Sequence, residues 1–222
     1  HGGEVVSGEV AAAPPPAFDG TLFHLGRDKE LSLVLRIAYW APETEGFDFF
    51  FRVATRFPDH RFVLAVAAGH PAADRASLLI SQNAAAGGKA ELLMDLTVAE
   101  IADLARRAGI YLYTRAPAAP FGASVSIPEA MAAGCHVIAP RDPAALACLG
   151  DAGRTYETED DAAWLINETT AWDEGQWERA QRVSVERAYR TFADKVVYRP
   201  TLDSWLALAG RDPDRAFAAD AQ

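Results

Sequence analysis

The chain has 222 residues, half of them apolar and 23% charged, which suits one domain of ordinary size with a real core. Its formal charge of −10 argues against nucleic acid as a partner, because that binding rests on Lys and Arg neutralising phosphates. No apolar run approaches the roughly 20 residues of a membrane span, no signal-peptide pattern opens the chain, and two cysteines make no disulfide framework, so reduced thiols in a cytoplasmic setting are expected.

Residues 1–20 read as an extended linker, Gly-rich and then Ala11-Ala12-Ala13-Pro14-Pro15-Pro16, leading from something upstream. Leu31 to Tyr39, LSLVLRIAY, reads as a buried strand, and Pro42 to Gly46 as a turn. Phe47 to Phe57 has helical spacing, with Phe50, Val53, Ala54 and Phe57 on one face, and Pro58-Asp59 breaks it. A strand from Arg61 to Ala67 ends at Gly69, a turn glycine placed to let backbone approach a ligand or simply to turn. A helix is expected around Ala73 to Gln82, then a Gly87-Gly88 loop and a strand from Glu91 to Met94. Thr97-Val98-Ala99-Glu100 is a capping box opening a helix to Arg107, with Gly109 as terminator.

After Pro140 a helix over Pro143 to Leu149 and a short strand near Thr155 are expected. The acids Glu157, Glu159, Asp160 and Asp161 follow, and Thr158 with Asp161 reads as a solvated helix start rather than a metal site. Helices over Ala162 to Thr170 and Glu174 to Phe192 carry Trp164 and Trp177, with Trp172 between them. Trp205 falls in a last short helix, Asp203 to Ala209, and at helical spacing these rings read as core. Strands alternating with helices predict an α/β fold, a doubly wound parallel sheet (Rossmann-like) over residues 21–209 with extra C-terminal helices, then a frayed tail at 210–222.

The stretch Tyr111 to Pro140, YLYTRAPAAPFGASVSIPEAMAAGCHVIAP, carries the functional signal. It reads as a βαβ unit: a strand over Ile110 to Tyr113, a loop of small residues, a helix from Ile127 to Ala133 stopped by Gly134, and a strand from Cys135 to Ala139. Ligands of open parallel sheets sit at the carboxyl end of the strands, and a loop feeding a helix N-terminus favours an anion such as phosphate. Ser126 is the expected N-cap, and Glu129, three residues on, fits a capping box.

Phe121-Gly122, followed by Pro128-Glu129-Ala130-Met131-Ala132-Ala133-Gly134-Cys135-His136-Val137-Ile138, resembles the donor-site signature of retaining glycosyltransferases of the GT-B fold. The likeness runs from about Leu33 to Phe192 and corresponds to the C-terminal, nucleotide-binding half of such an enzyme. The resemblance implies a nucleoside diphosphate sugar (UDP-, GDP- or ADP-linked) as partner, an acceptor-binding domain upstream, and no metal or cofactor. It implies that Glu129 contacts ribose or sugar hydroxyls. Phosphate would fall to the N–H groups and hydroxyls near Ser124, Val125 and Ser126, beside Gly122 and Gly69. No catalytic residue is assigned.

The sequence departs from that pattern in three places. Tyr39 and Thr44 stand roughly where the family's early loop has an arginine and a lysine; Phe121 stands eight residues before Glu129 where the family has a second glutamate; and the loop after Phe121-Gly122 is two residues longer. Arg115 reads either as a replacement cation from the strand end or as a solvent-facing arginine. The rival function is a non-catalytic domain of the same fold, a scaffold or interaction module. His24, His60, His70 and His136 show no ligand spacing, and His136, inside a strand run, reads as a satisfied core histidine.

Overall fold

The computed structural model describes residues 16–40, 42–116 and 124–208. Six strands make one parallel sheet: β1 (Glu30–Ala38), β2 (Arg61–Ala67), β3 (Glu91–Leu96), β4 (Ala108–Leu112), β5 (His136–Pro140) and β6 (Gly153–Tyr156). Their order is β3-β2-β1-β4-β5-β6, so the winding reverses between β1 and β4. The helices are α1 (Pro42–Glu45), α2 (Phe47–Ala54), α3 (Ala76–Ala85), α4 (Val98–Arg107), α5 (Ser126–Ala132), α6 (Pro143–Leu149), α7 (Glu159–Thr170), α8 (Glu174–Phe192) and α9 (Asp194–Leu208). The sheet separates two apolar layers. One joins Leu33, Leu35, Tyr111 and Val137 to α4, α5, α6 and α8. The other joins Val34, Leu64, Ile110 and Ile138 to α2, α3 and α7. Alternate side chains of each central strand enter opposite layers, as the period of two requires, and both faces are covered, as a parallel sheet demands.

The expected elements are present, with differences that have local causes. The turn at Pro42 to Gly46 is helical over its first four residues, and Gly46 at φ 62° redirects the chain into α2. Two of the expected capping boxes form, at Thr97/Glu100 and Thr158/Asp161, and an unexpected one forms at Asp173/Gln176. Gly109 does not terminate α4: β4 begins at Ala108, and Gly109 lies inside the strand. There β1 advances four residues, Glu30 to Val34, while β4 advances two, and the extra β1 backbone crowds against Gly109. A Cβ at Gly109 would lie 2.7 Å from the Leu31 Cα, so close approach rather than helix termination explains the glycine.

At the ends, Phe18 of the expected linker is buried, its amide donates to the Phe192 carbonyl and its ring meets Tyr189 edge-on. The extra parallel bridge from Phe18 to Ala193 divides α8 from α9. The last helix therefore starts at Asp194, well before Asp203. Trp177 is core as expected, whereas Trp164 and Trp205 are exposed. Residues 1–15 of the expected linker and the tail at 210–222 lie outside the described residues.

The apolar run of β1 is interrupted by Arg36, which is fully buried. A guanidinium has five N–H donors, and each has an acceptor here. Nε donates to Thr114 Oγ1 at 3.2 Å; one terminal nitrogen donates to the Tyr111 hydroxyl at 3.0 Å and the Ile37 carbonyl; the other donates to the Thr114 carbonyl at 2.9 Å and the Glu45 carboxylate. The guanidinium also lies over the Tyr113 ring, 4.6 Å from its centroid. Glu45 is almost as buried, so the ion pair sits out of water. Removing one partner of such a pair strands the other charge, at about 3–5 kcal/mol. Glu45→Ala is therefore expected to lower the urea unfolding free energy by about 3 kcal/mol or more. A loss below about 1 kcal/mol, the range of exposed pairs, would show that the pair carries no such burden.

Candidate functional site

The winding reversal opens a crevice outside the carboxyl ends of β1 and β4, the place where open parallel sheets take ligands. Tyr39 follows β1 there, and Tyr113 and Thr114 follow β4. Arg36 organises this edge from below. Its partner Tyr111 donates to Ser126 Oγ at 2.7 Å, and Ser126 Oγ lies 2.8 Å from Ser124 Oγ. Thr114 takes its place in the same network, donating through Oγ1 to the Glu45 carbonyl at 2.7 Å. A continuous set of hydrogen bonds therefore runs from the ion pair inside the sheet to the turn that precedes α5.

Ser126 is not the N-cap of α5. Val125 occupies that position, and no side chain caps it. Ser126 is the first helical residue, buried, with its hydroxyl committed to Tyr111 and Ser124. The capping box with Glu129 is consequently absent. The turn satisfies its own amides instead: Ile127 N–H donates to the Ser124 carbonyl, Glu129 N–H to the Val125 carbonyl, and Ser126 N–H to Ser124 Oγ at 3.4 Å. Pro128 has no N–H to offer.

Freed from capping, the Glu129 side chain turns to the sheet edge. It is 6% exposed and accepts a 3.0 Å hydrogen bond from the Tyr39 hydroxyl. Burial pushes its carboxyl up to about 8, and the Tyr39 bond offsets only part of that. Burial, joined by the neighbouring Glu129 carboxylate, also raises the Tyr39 phenol. Tyr39 lies against His70, ring centroids 5.0 Å apart. That contact brings the turn after β2, with Gly69 at φ 70°, to the same edge. A Cβ built on Gly69 would meet nothing within 4 Å. The glycine is thus required by the turn's backbone sign and not by a close neighbour among the described residues.

The predicted site residues therefore fall into two groups. Glu129, Ser126, Val125 and Ser124 are continuous with Tyr39 and, through His70, with the Gly69 turn. Arg115 follows Thr114 at the same carboxyl edge. It lines a cleft of about 940 Å³ with Gly46, Arg52, Arg141, Asp142 and Tyr156, and its guanidinium is 4.0 Å from the Asp142 carboxylate. At 17% side-chain exposure it is not solvent-facing. Phe121 and Gly122 lie outside the described residues.

Sequence reasoning passed over Arg36 and Glu45, although an arginine centred in LSLVLRIAY was the available signal. His136 is buried as expected but not satisfied: among the described residues neither ring nitrogen has a hydrogen-bond partner. Among the described residues no three His, Cys, Asp or Glu side chains group as metal ligands, and no helix is long and apolar enough to cross a membrane.

No protein-family model matches the sequence, and neither does any curated protein. Solved structures do match by fold. Sucrose-phosphate synthase from Thermosynechococcus elongatus superposes with a TM-score of 0.69 at 16% identity, over 88% of this chain and 52% of that one. HepE of Anabaena, in complex with UDP and glucose, gives 0.66 at 18% identity, over 85% and 55%. The chain thus spans about half the length of these two proteins. The C-terminal domain of a glycosyl transferase group 1 family protein (LpcC) from Francisella tularensis gives 0.62 at 17% identity, over 80% of this chain and all of that one. The chain has the fold of the C-terminal half of the GT-B glycosyltransferases.

Proposed function

We propose that this chain is the donor-binding domain of a glycosyltransferase of the retaining GT-B type, binding a nucleoside diphosphate sugar linked to UDP, GDP or ADP. The observation that carries this reading is Glu129, a carboxyl buried at the winding reversal and held there by the Tyr39 hydroxyl. In the proposed complex, ribose or sugar hydroxyls donate to the Glu129 carboxylate, and the diphosphate replaces the turn's internal acceptors at the backbone N–H groups near Ser124, Val125 and Ser126. The Gly69 turn gives the ligand backbone access beside Tyr39. HepE, a neighbour in fold, carries UDP and glucose in its structure, which supports the ligand class. The acceptor would be positioned by a second domain, upstream in the full enzyme.

One observation favours a second reading, a scaffold of the same fold without donor binding. The early loop presents Glu45 rather than cations, and Glu45 is bound inward by Arg36. A diphosphate that lacks cationic contacts from that loop forgoes charge-assisted bonds of about 1.5–3 kcal/mol each. Affinity is therefore expected to be low, with a dissociation constant of roughly 0.1 mM or weaker.

Titration with UDP, GDP and ADP, followed by backbone amide NMR, separates the readings. One of the three should shift the signals of Ser124 to Ile127 and be displaced by its nucleotide sugar. Amides there that stay still under all three nucleotides would favour the scaffold.

Protonation of Glu129 gives a sharper test. Hydroxyl donation needs the carboxylate, so the ratio of wild-type to Glu129→Gln affinity should rise up to about tenfold per pH unit and level off above about 8. The ratio removes the ligand's own ionisation. A pH-independent ratio near one would exclude Glu129 from the site.

Stability should follow the opposite slope. The folded carboxyl titrates at about 8 against an ordinary 4.5, so its neutral form is favoured by folding. That contribution is fully present below 4.5 and is lost as pH rises towards 8, at up to about 1.4 kcal/mol per pH unit. Urea unfolding of wild type and Glu129→Gln across this range should show the slope in the first and not in the second. Finally, transfer to sugar or peptide acceptors should be undetectable with this chain alone, because orienting the two reactants supplies about 7–11 kcal/mol of the barrier. Multiple turnovers of a nucleotide sugar, abolished by Glu129→Ala, would show a complete active site in this chain.

A further inference from the structure

The opposite, amino edge of the sheet holds a feature that donor binding does not use. A cavity of about 270 Å³ opens beside the first residues of β5 and β6, walled by α8 and the segment between α7 and α8. His136, the first residue of β5, lies at its back at 5% exposure, and neither ring nitrogen has a hydrogen-bond partner. Two cations reach the same cavity from different elements, Arg154 of β6 and Arg179 of α8. Asp151 is the acid in the lining, and Glu168 of α7 pairs with Arg154 at 3.2 Å. Trp172 closes one side, its ring 4.6 Å from the imidazole, and Val183 adds an apolar wall.

Buried polar groups without partners are rare in folded proteins and call for a physical reason. Here the neutral imidazole keeps one donor and one acceptor, and two arginines line the same cavity, Arg179 and the Glu168-paired Arg154. That combination suits an oxyanion, which Arg binds in a forked geometry. The aromatic and aliphatic walls suit an apolar body attached to it. We propose that this cavity is a second ligand site that takes a small organic molecule bearing one oxyanion group, with His136 and the two arginines on the oxyanion and the body against Trp172 and Val183. Burial and the Arg154 guanidinium hold His136 down to about 3. An anion placed between them offsets both causes, so binding should raise the imidazole.

Phenyl phosphate, benzoate and inorganic phosphate are the probes, added to the whole chain carrying 15N-labelled histidine, with UDP present so that the crevice at Glu129 is not what responds. The expected result with phenyl phosphate or benzoate is a saturable shift of the His136 ring signals and a titration midpoint raised by about one pH unit or more. Inorganic phosphate, lacking the apolar body, should bind more weakly. Arg179 is exposed, so Arg179→Ala should leave the fold intact and weaken the organic probes tenfold or more. His136 signals that do not move with either organic probe, or binding unchanged by Arg179→Ala, would overturn the proposal. So would a shift that disappears in Glu129→Gln, since the signal would then belong to the other edge of the sheet.

Discussion

Arg36 and its five acceptors are the constraint on which the ligand edge of this molecule depends. A charge fully inside a parallel sheet is costly unless every donor is paired, and here the pairing recruits β1, β4 and the α1 turn at once. Tyr111, Thr114 and Glu45 are thereby held in one arrangement. The turn before α5 inherits that arrangement through Tyr111 and Ser126. The ion pair thus does for this crevice what a packed apolar residue could not: it fixes the direction of three backbone segments by directional bonds as well as by volume.

That arrangement explains why Glu129 faces inward. A serine with its hydroxyl occupied cannot cap the helix, and a glutamate without a capping box has no reason to fold back on the N-terminus. The Tyr39 hydroxyl supplies the donor that the N-cap N–H would have given in a capping box. The outcome is a desolvated carboxyl whose proton is held through neutral pH. Perturbed acids of this kind concentrate at functional sites, though structural networks also produce them. In this chain the structural network built on Arg36 is what places Glu129 at the crevice.

The two edges of the sheet differ in the way their polar groups are settled. At the carboxyl edge nearly every side chain named above is hydrogen-bonded within the protein, and the carboxyl of Glu129 is adjusted by its proton. At the amino edge His136 is buried beside cations without a bond to either ring nitrogen. On an acidic chain, any anion affinity there comes from the local placement of Arg154 and Arg179 around His136 and not from composition.

The sequence alone determined the layers of this protein. Apolar runs bounded by Gly and Pro and helical spacing placed β2, α6 and α8 at their observed bounds, two capping boxes marked the starts of α4 and α7, and the alternation pointed to a parallel doubly wound sheet. The run around Glu129 located the crevice. These are local patterns, and local physics sets them: period, capping and backbone sign act within a few residues. The fate of individual polar side chains was decided only by tertiary structure. Ser126 and Glu129 have capping-box spacing, yet Tyr111 and Tyr39, distant in the chain, compete for them and win. Gly109 looks like a helix stop, but the bulged backbone of β1 is what requires it. His136 looks like any strand histidine until Arg154 and Trp172 are folded against it. Each of these outcomes rests on partners tens of residues away, and a hydrogen bond goes to whichever partner the fold brings within reach.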